Sequence, residues 1–314
     1  MKNYLSIHDI GDLQTAVQEA IELKKNPYGF EHLGKRKTIC LLFFNNSLRT
    51  RLSTQKAAQH LGLNTMVMNF GSEGWQLEFE DGTVMDGRNS EHIKEAARVV
   101  SQYADIVAIR AFAGLIDKEK DEAEVVLNGF KKHASIPIIN MESSVAHPLQ
   151  ALADAITIEE HRTIERPKVV LSWAPHPKAL PHAVANSFVK MMKIQKAEFV
   201  ITNPVGYDLN PEITKGCQIV HEQEKALENA NFVHVKNWSS YSDYGRVLHQ
   251  NPAWIMTKDK LGAAKFMHCL PVRRNVVVED AVLDGHQSLV IEQANNRTFA
   301  AQVVLKRILN GLSP

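Results

Sequence analysis

The chain has 314 residues, 44% of them hydrophobic and 23% charged, enough to bury a sizeable core and more than one small domain requires. Lys and Arg number 36 against 35 Asp and Glu, which excludes the diffuse positive field of a nucleic-acid binder and makes any anion site local. Cys40, Cys217 and Cys269 are too scattered for a zinc site or a disulfide framework, no apolar run approaches the roughly 20 residues of a membrane span, and MKNYLSIHDIGD lacks a secretion signal's apolar core, so a soluble cytoplasmic protein is expected.

In chain order, short apolar runs predict strands at 38–44, 64–69, 106–110, 136–141, 168–173, 199–203, 232–235, 266–270 and 288–291. Helical patterns occupy 51–61, 91–103, 122–133, 149–161, 181–193, 225–229 and 297–312. The alternation predicts an α/β protein of two doubly wound parallel-sheet domains, with ligands beyond the carboxyl ends of the strands. The boundary falls in the helix after His147, giving a first domain of 1–150, completed by the C-terminal helix 294–314, and a second of 151–293. There is no repeat, low-complexity tract or obvious linker.

Four strand-end tracts carry candidate chemistry. In S-L-R-T-R, starting at Ser47, a strand gives way to a helix whose first N–H groups and positive end suit a phosphate, with Ser47 and Thr50 hydroxyls and the Arg49 fork as further donors. An ordinary N-cap beside solvated arginines has the same residues. In MESSVAHPLQALAD, Pro148 suits a first helical position, and His147 and Gln150, three apart, share a face; a capped helix with a surface histidine is the plainer reading. Arg110 closes the run AIRAFA at a strand end, where solvated charge is also common. In MHCLPVRRN a strand breaks at Pro271, freeing carbonyls near Cys269 that suit an amine; Cys269 itself has the pattern of an inert buried thiol unless a positive field activates it.

Together, S-x-R-T-R, H-P-x-Q-x-L-A-D and H-C-L-P stand in the order and spacing of the aspartate/ornithine carbamoyltransferases, over nearly the whole chain. H-C-L-P resembles the ornithine branch, and W-A-P-H-P at 173–177, K-N-W at 236–238 and H-C-L-P-V-R-R-N are similar to the enzymes of Nα-acylated ornithine, while the S-M-G tract of the free-ornithine enzymes is missing. The resemblance implies carbamoyl phosphate as the anion, cradled by Ser47, Leu48, Arg49 and Thr50, with Trp75 reaching a neighbouring subunit's site and Arg110, His147 and Gln150 at the carbamoyl end. It implies Glu142, Lys236, Arg273 and His176 as acyl-ornithine contacts, the last two at the acyl end. The substrate amine would attack the carbamoyl carbon directly while Thr50, Arg110 and His147 stabilise the developing oxyanion. Backbone carbonyls near Cys269 and Leu270 would orient the amine, Cys269 would be a positioning residue, and neither metal nor cofactor is implied. A homotrimer with shared sites, a closing interdomain cleft and a trefoil knot in the second domain, around WAPHPKALPHAV, are further implications.

Acetyl-type members carry a glutamate before the E-H-I helix start and succinyl-type members a proline; this chain has Ser90. A carboxylate there would repel a succinyl carboxylate, whereas serine would not. Acetyl-type members also carry a lysine where this chain has Val277. The resemblance therefore implies carbamoyl transfer to N-succinyl-L-ornithine in arginine biosynthesis, with N-acetylornithine as the alternative acceptor. A nicotinamide-dependent dehydrogenase predicts G-x-G-x-x-G at a strand–helix turn, and none is present. A non-catalytic relative predicts loss of an anion-site residue, and all are kept. E-E-H at 159–161 reads as a solvated helix face and N-R-T at 296–298 as a glycosylation pattern without secretory context.

Overall fold

The computed structural model describes residues 1–312. Two compact units divide the described residues: 1–114, 118–149 and 297–312 form the first, and 115–117 with 150–296 the second. The divisions fall inside the helices Pro148–His161 and Val290–Leu309.

The first unit has a four-stranded sheet of β1 (Thr38–Phe43), β2 (Asn64–Asn69), β5 (Ile106–Ala111) and β6 (Ile138–Ser143), in the order β2-β1-β5-β6 and wholly parallel. A separate two-stranded ladder joins β3 (Leu77–Glu78) to β4 (Glu91–His92). β1 and β5 are nearly continuous apolar runs because helices cover both faces of a parallel sheet. Leu42, Val107, Ile109, Phe130 and Ile138 pack into one cluster of this core. The helix Arg49–His60 follows β1 and stops at Gly62, whose φ of 75° turns the chain back toward β2.

The second unit has a five-stranded parallel sheet: β7 (Lys168–Trp173), β8 (Glu198–Thr202), β9 (Gln218–Val220), β10 (Phe232–Lys236) and β11 (Lys265–Met267), in the order β11-β10-β7-β8-β9. Val170, Val233, Val235, Phe266 and Val278 lie in one core cluster.

Several elements differ from the sequence expectation. Residues 288–291 are not a strand: Ser288 makes one isolated bridge to Phe266, and Val290 already begins the long helix. The expected strand 266–270 ends at Met267, because Leu270 takes the left-handed conformation at φ 53°. The expected helix 122–133 is broken at Glu124, also left-handed at φ 47°. Helix Leu13–Lys25 was not anticipated, although Asp12 caps it through the Thr15 N–H and its apolar residues fall at helical spacing.

Candidate active site

Each large sheet reverses its winding once, and at such a point the loops diverge and leave a crevice beyond the strand ends. In the first unit the reversal lies between β1 and β5, where Phe43 stands in register with Arg110. Leu48 already has helical dihedrals, so Ser47 acts as the cap of the following helix, its Oγ accepting from the Thr50 N–H at 3.3 Å. That amide, expected to be open to an anion, is thus occupied. Leu48 is exposed, Arg49 half-buried and Thr50 buried.

Arg110 is built into the loop it faces. Its Nη1 donates to the carbonyls of Asn45 and Asn46 at 2.8 Å each, its Nε to Glu142 Oε2 at 3.0 Å, and its Nη2 lies 2.9 Å from the same oxygen. These contacts occupy four of a guanidinium's five N–H donors. The pairing depends on a break in the β5–β6 register, which jumps from Ile109↔Asn140 to Arg110↔Glu142. Glu142, expected among the acyl-ornithine contacts, therefore sits in the first unit beside Arg110, with His147 Nε2 3.8 Å from its Oε2.

His147 is buried, and burial first, then the Arg297 and Arg110 charges, hold its pKa well below the ordinary histidine value. The imidazole is neutral at pH 7. Arg297, a residue no sequence motif singled out, donates from Nη2 to Thr50 Oγ1 at 2.6 Å and lies 3.4 Å from His147 Nε2. That contact assigns Nε2 as acceptor and Nδ1 as the protonated nitrogen. Thr50, His147, Arg110, Glu142 and Arg297 thus form one buried cluster at the first reversal.

In the second unit the reversal lies between β7 and β10, where Trp173 and Lys236 stand in register as last residues of their strands. The loops beyond them are stitched by Asn237 Nδ2 to the Ala174 carbonyl (2.6 Å) and Trp173 Nε1 to the Trp238 carbonyl (2.9 Å). Lys236 is 8% exposed, and its side-chain ammonium has no hydrogen bond or ion pair among the described residues. A nearly buried ammonium without a protein acceptor is costly unless an anion meets it. His176 and Arg273 are brought together: Arg273 Nε donates to His176 Nε2 at 3.1 Å, and His176 Nδ1 meets the Lys178 carbonyl at 2.8 Å. Burial chiefly lowers the His176 pKa, so this ring too is neutral.

Beyond β11, the His268 N–H donates to Gln293 Oε1 (2.9 Å) and His268 Nδ1 accepts from the Leu270 N–H (2.8 Å), which holds the left-handed Leu270. The Leu270 carbonyl has no hydrogen-bond partner among the described residues. The Cys269 thiol is half-buried and unbridged. Gln150 is buried, with Nε2 donating to Asp154 Oδ1 at 2.7 Å. Val277 is 2% exposed within the second unit's core, its N–H bonded to the Arg273 carbonyl.

Trp75 and Ser90 lie on the segment of the β3–β4 ladder in the first unit. Trp75 is half-exposed and its indole N–H donates to Glu91 Oε2 at 2.8 Å, while the Ser90 N–H donates to the Gln76 carbonyl at 3.0 Å. In the E-E-H tract, Glu159 pairs with Arg162 and Glu160 accepts from Asn296. No group of three metal-ligating side chains is arranged to hold an ion among the described residues.

The family model described as aspartate/ornithine carbamoyltransferase, carbamoyl-P binding domain, matches residues 2–160, and the Asp/Orn binding domain of the same family matches residues 181–308. N-succinylornithine carbamoyltransferase of Bacteroides thetaiotaomicron is 46% identical over 99% of this chain and 100% of its own. N-acetylornithine carbamoyltransferase of Xanthomonas campestris pv. campestris is 33% identical over 100% of this chain and 99% of its own. Among solved structures, a variant of N-acetyl-L-ornithine transcarbamylase with one glutamate replaced by serine, complexed with carbamyl phosphate and N-succinyl-L-norvaline, matches with a TM-score of 0.91 and 34% identity over 97% of this chain and 99% of that one. The corresponding proline variant, with the same ligands, matches with a TM-score of 0.92 and 34% identity over 98% of this chain and 100% of that one.

Proposed function

The chain belongs to the aspartate/ornithine carbamoyltransferase family, and from that premise we propose that it transfers the carbamoyl group of carbamoyl phosphate to the side-chain amine of N-succinyl-L-ornithine, giving N-succinyl-L-citrulline and phosphate in arginine biosynthesis. The observation that carries the reaction is the buried cluster at the first sheet's reversal, where Arg297 meets both Thr50 and His147 at a helix start and Arg110 pairs with Glu142. The acceptor follows from the 46% identity to the succinyl enzyme and from Ser90. The family reading puts the glutamate of acetyl-type members at position 90, and transcarbamylase variants in which one glutamate gives way to alanine, valine, proline or serine are complexed with a succinyl ligand.

In this reading Ser47, Leu48, Arg49 and Thr50 hold the phosphate, with Trp75 supplied by a neighbouring copy. The deprotonated amine attacks the carbamoyl carbon, a C–N bond forms, and the C–O bond to phosphate breaks. Charge builds on the carbamoyl oxygen, where preorganised donors lower the barrier most; each is worth about 3 kcal/mol. Thr50, Arg297 and the last free Arg110 donor supply hydrogen bonds there. A neutral imidazole has one N–H, so His147 donates from Nε2 only if its proton moves from Nδ1 and Arg297 turns to the substrate. Gln150 contacts the carbamoyl amine, and the Cys269 and Leu270 carbonyls orient the attacking amine. The departing phosphate takes the amine proton. Lys236 meets the substrate carboxylate, His176, Arg273 and Ser90 the acyl end, and Glu142 both supports Arg110 and contacts the acyl-ornithine. A cytoplasmic homotrimer with shared sites and a knotted second domain completes the proposal.

The test is citrulline-type product formation from carbamoyl phosphate with ornithine, N-acetylornithine and N-succinylornithine in parallel. A clear succinyl preference is expected, and Ser90→Glu is expected to move it toward acetyl. An acetyl preference in the unaltered protein overturns the acceptor; no product with any of the three overturns the reaction.

A further inference from the structure

Asp154 is fully buried, yet the reaction outlined above gives it no part. Burying a carboxylate costs several kcal/mol unless strong partners meet it. Its Oδ1 accepts from the side-chain amides of Gln150 and Gln293, both at 2.7 Å. The fully buried His234 ring stands 3.6 Å from Oδ2, beyond hydrogen-bond length, and burial keeps that ring uncharged.

A carboxylate only accepts hydrogen bonds, whereas a glutamine amide donates at one end and accepts at the other. The two ends are nearly the same size, so shape alone does not choose between them. With both Nε2 groups on Asp154, each Oε1 is turned away from it. For Gln293 that oxygen receives the His268 N–H at 2.9 Å, and His268 Nδ1 in turn receives the Leu270 N–H at 2.8 Å. One carboxylate therefore sets the polarity of Gln150 and, through Gln293 and His268, the placement of the Cys269–Leu270 turn. We propose that Asp154 is a positioning residue that aligns the group facing the carbamoyl amine and the carbonyls facing the attacking amine at once, which rests on the roles given above to Gln150 and Leu270. A one-ångström misplacement of such groups costs about 100-fold in rate.

The test compares Asp154→Asn, Asp154→Leu and Gln293→Leu, with Gln150→Leu as reference, by steady-state kinetics for each substrate and by thermal melting. Asn keeps an oxygen for both amides and offers its own N–H to His234, so Asp154→Asn is expected within about tenfold of the unaltered kcat, and Asp154→Leu about 100-fold below it. Gln293→Leu releases His268 but leaves Gln150 on Asp154, so it is expected to raise KM for the acyl-ornithine while sparing KM for carbamoyl phosphate. This variant carries the test if Asp154→Leu does not fold. Equal losses in Asn and Leu, or a Gln293→Leu protein that folds and acts like the unaltered one, overturn the inference. If Gln150→Leu itself leaves carbamoyl phosphate kinetics unchanged, the fault lies in the function proposed for Gln150.

Discussion

Arg297 meets Thr50 and His147 from positions 247 and 150 residues away in the chain, and one nitrogen serves both. Its charge is also the second cause, after burial, of the lowered His147 pKa. Arg297→Met should therefore act twice: the donor proposed for the oxyanion is lost, and the imidazole becomes easier to protonate. We expect kcat to fall about 100- to 1,000-fold, with the pKa of His147, followed by NMR, moving up toward the ordinary value. A fall in kcat with an unmoved His147 would mean the two side chains are electrically independent. The residue was invisible in the sequence because it lies mid-helix in a tract that spells only a false glycosylation signal. His147 and Arg110, by contrast, could be picked out because His147 follows a readable strand and Arg110 lies near the end of one, and strand ends are where such a fold gathers ligands.

At the scale of elements, the large sheets were readable because parallel strands buried on both faces are unbroken apolar runs. The errors cluster where a backbone reversal, not hydrophobicity, decides the outcome, as at Leu270 and Glu124. The β3–β4 ladder, two residues a side, carries too little pattern to be seen, yet it fixes the segment bearing Trp75 and Ser90. There the indole's one N–H is already given to Glu91. If Trp75 is to donate that proton to a phosphate, the bond to Glu91 must first break, and the carboxylate competes with the ligand. Glu91→Ala should thus tighten carbamoyl phosphate binding by about threefold, the worth of a modest exposed hydrogen bond, in isothermal titration. Weaker binding would show that Glu91 holds the indole ready instead of withholding it.

The whole molecule carries buried neutral histidines in both units, His147 in the first and His234 in the second, and their effect on stability is additive in sign. Unfolded histidine titrates near pH 6.5. In the fold, burial and then the Lys236 charge push His234 down to about 3, and His147 also lies well below the ordinary value. Between the folded and unfolded values the unfolded chain binds more protons, so stability falls as pH drops below about 6.5 and gains nothing above it, with a full slope of about 1.4 kcal/mol per pH unit for each group. Urea denaturation between pH 7 and 5 should show a declining midpoint before most carboxylates begin to titrate. His234 stacks on Phe188 with ring centroids 4.4 Å apart and neither ring nitrogen has a hydrogen-bond partner among the described residues, so His234→Phe removes its titration at little cost in packing. That variant should lose about 1.4 kcal/mol per pH unit of the dependence and keep the part belonging to His147. An unchanged slope would mean that His234 stays unprotonated in the unfolded chain as well, or that the second unit does not unfold in the transition being followed, and a circular-dichroism signal at full amplitude would separate the two.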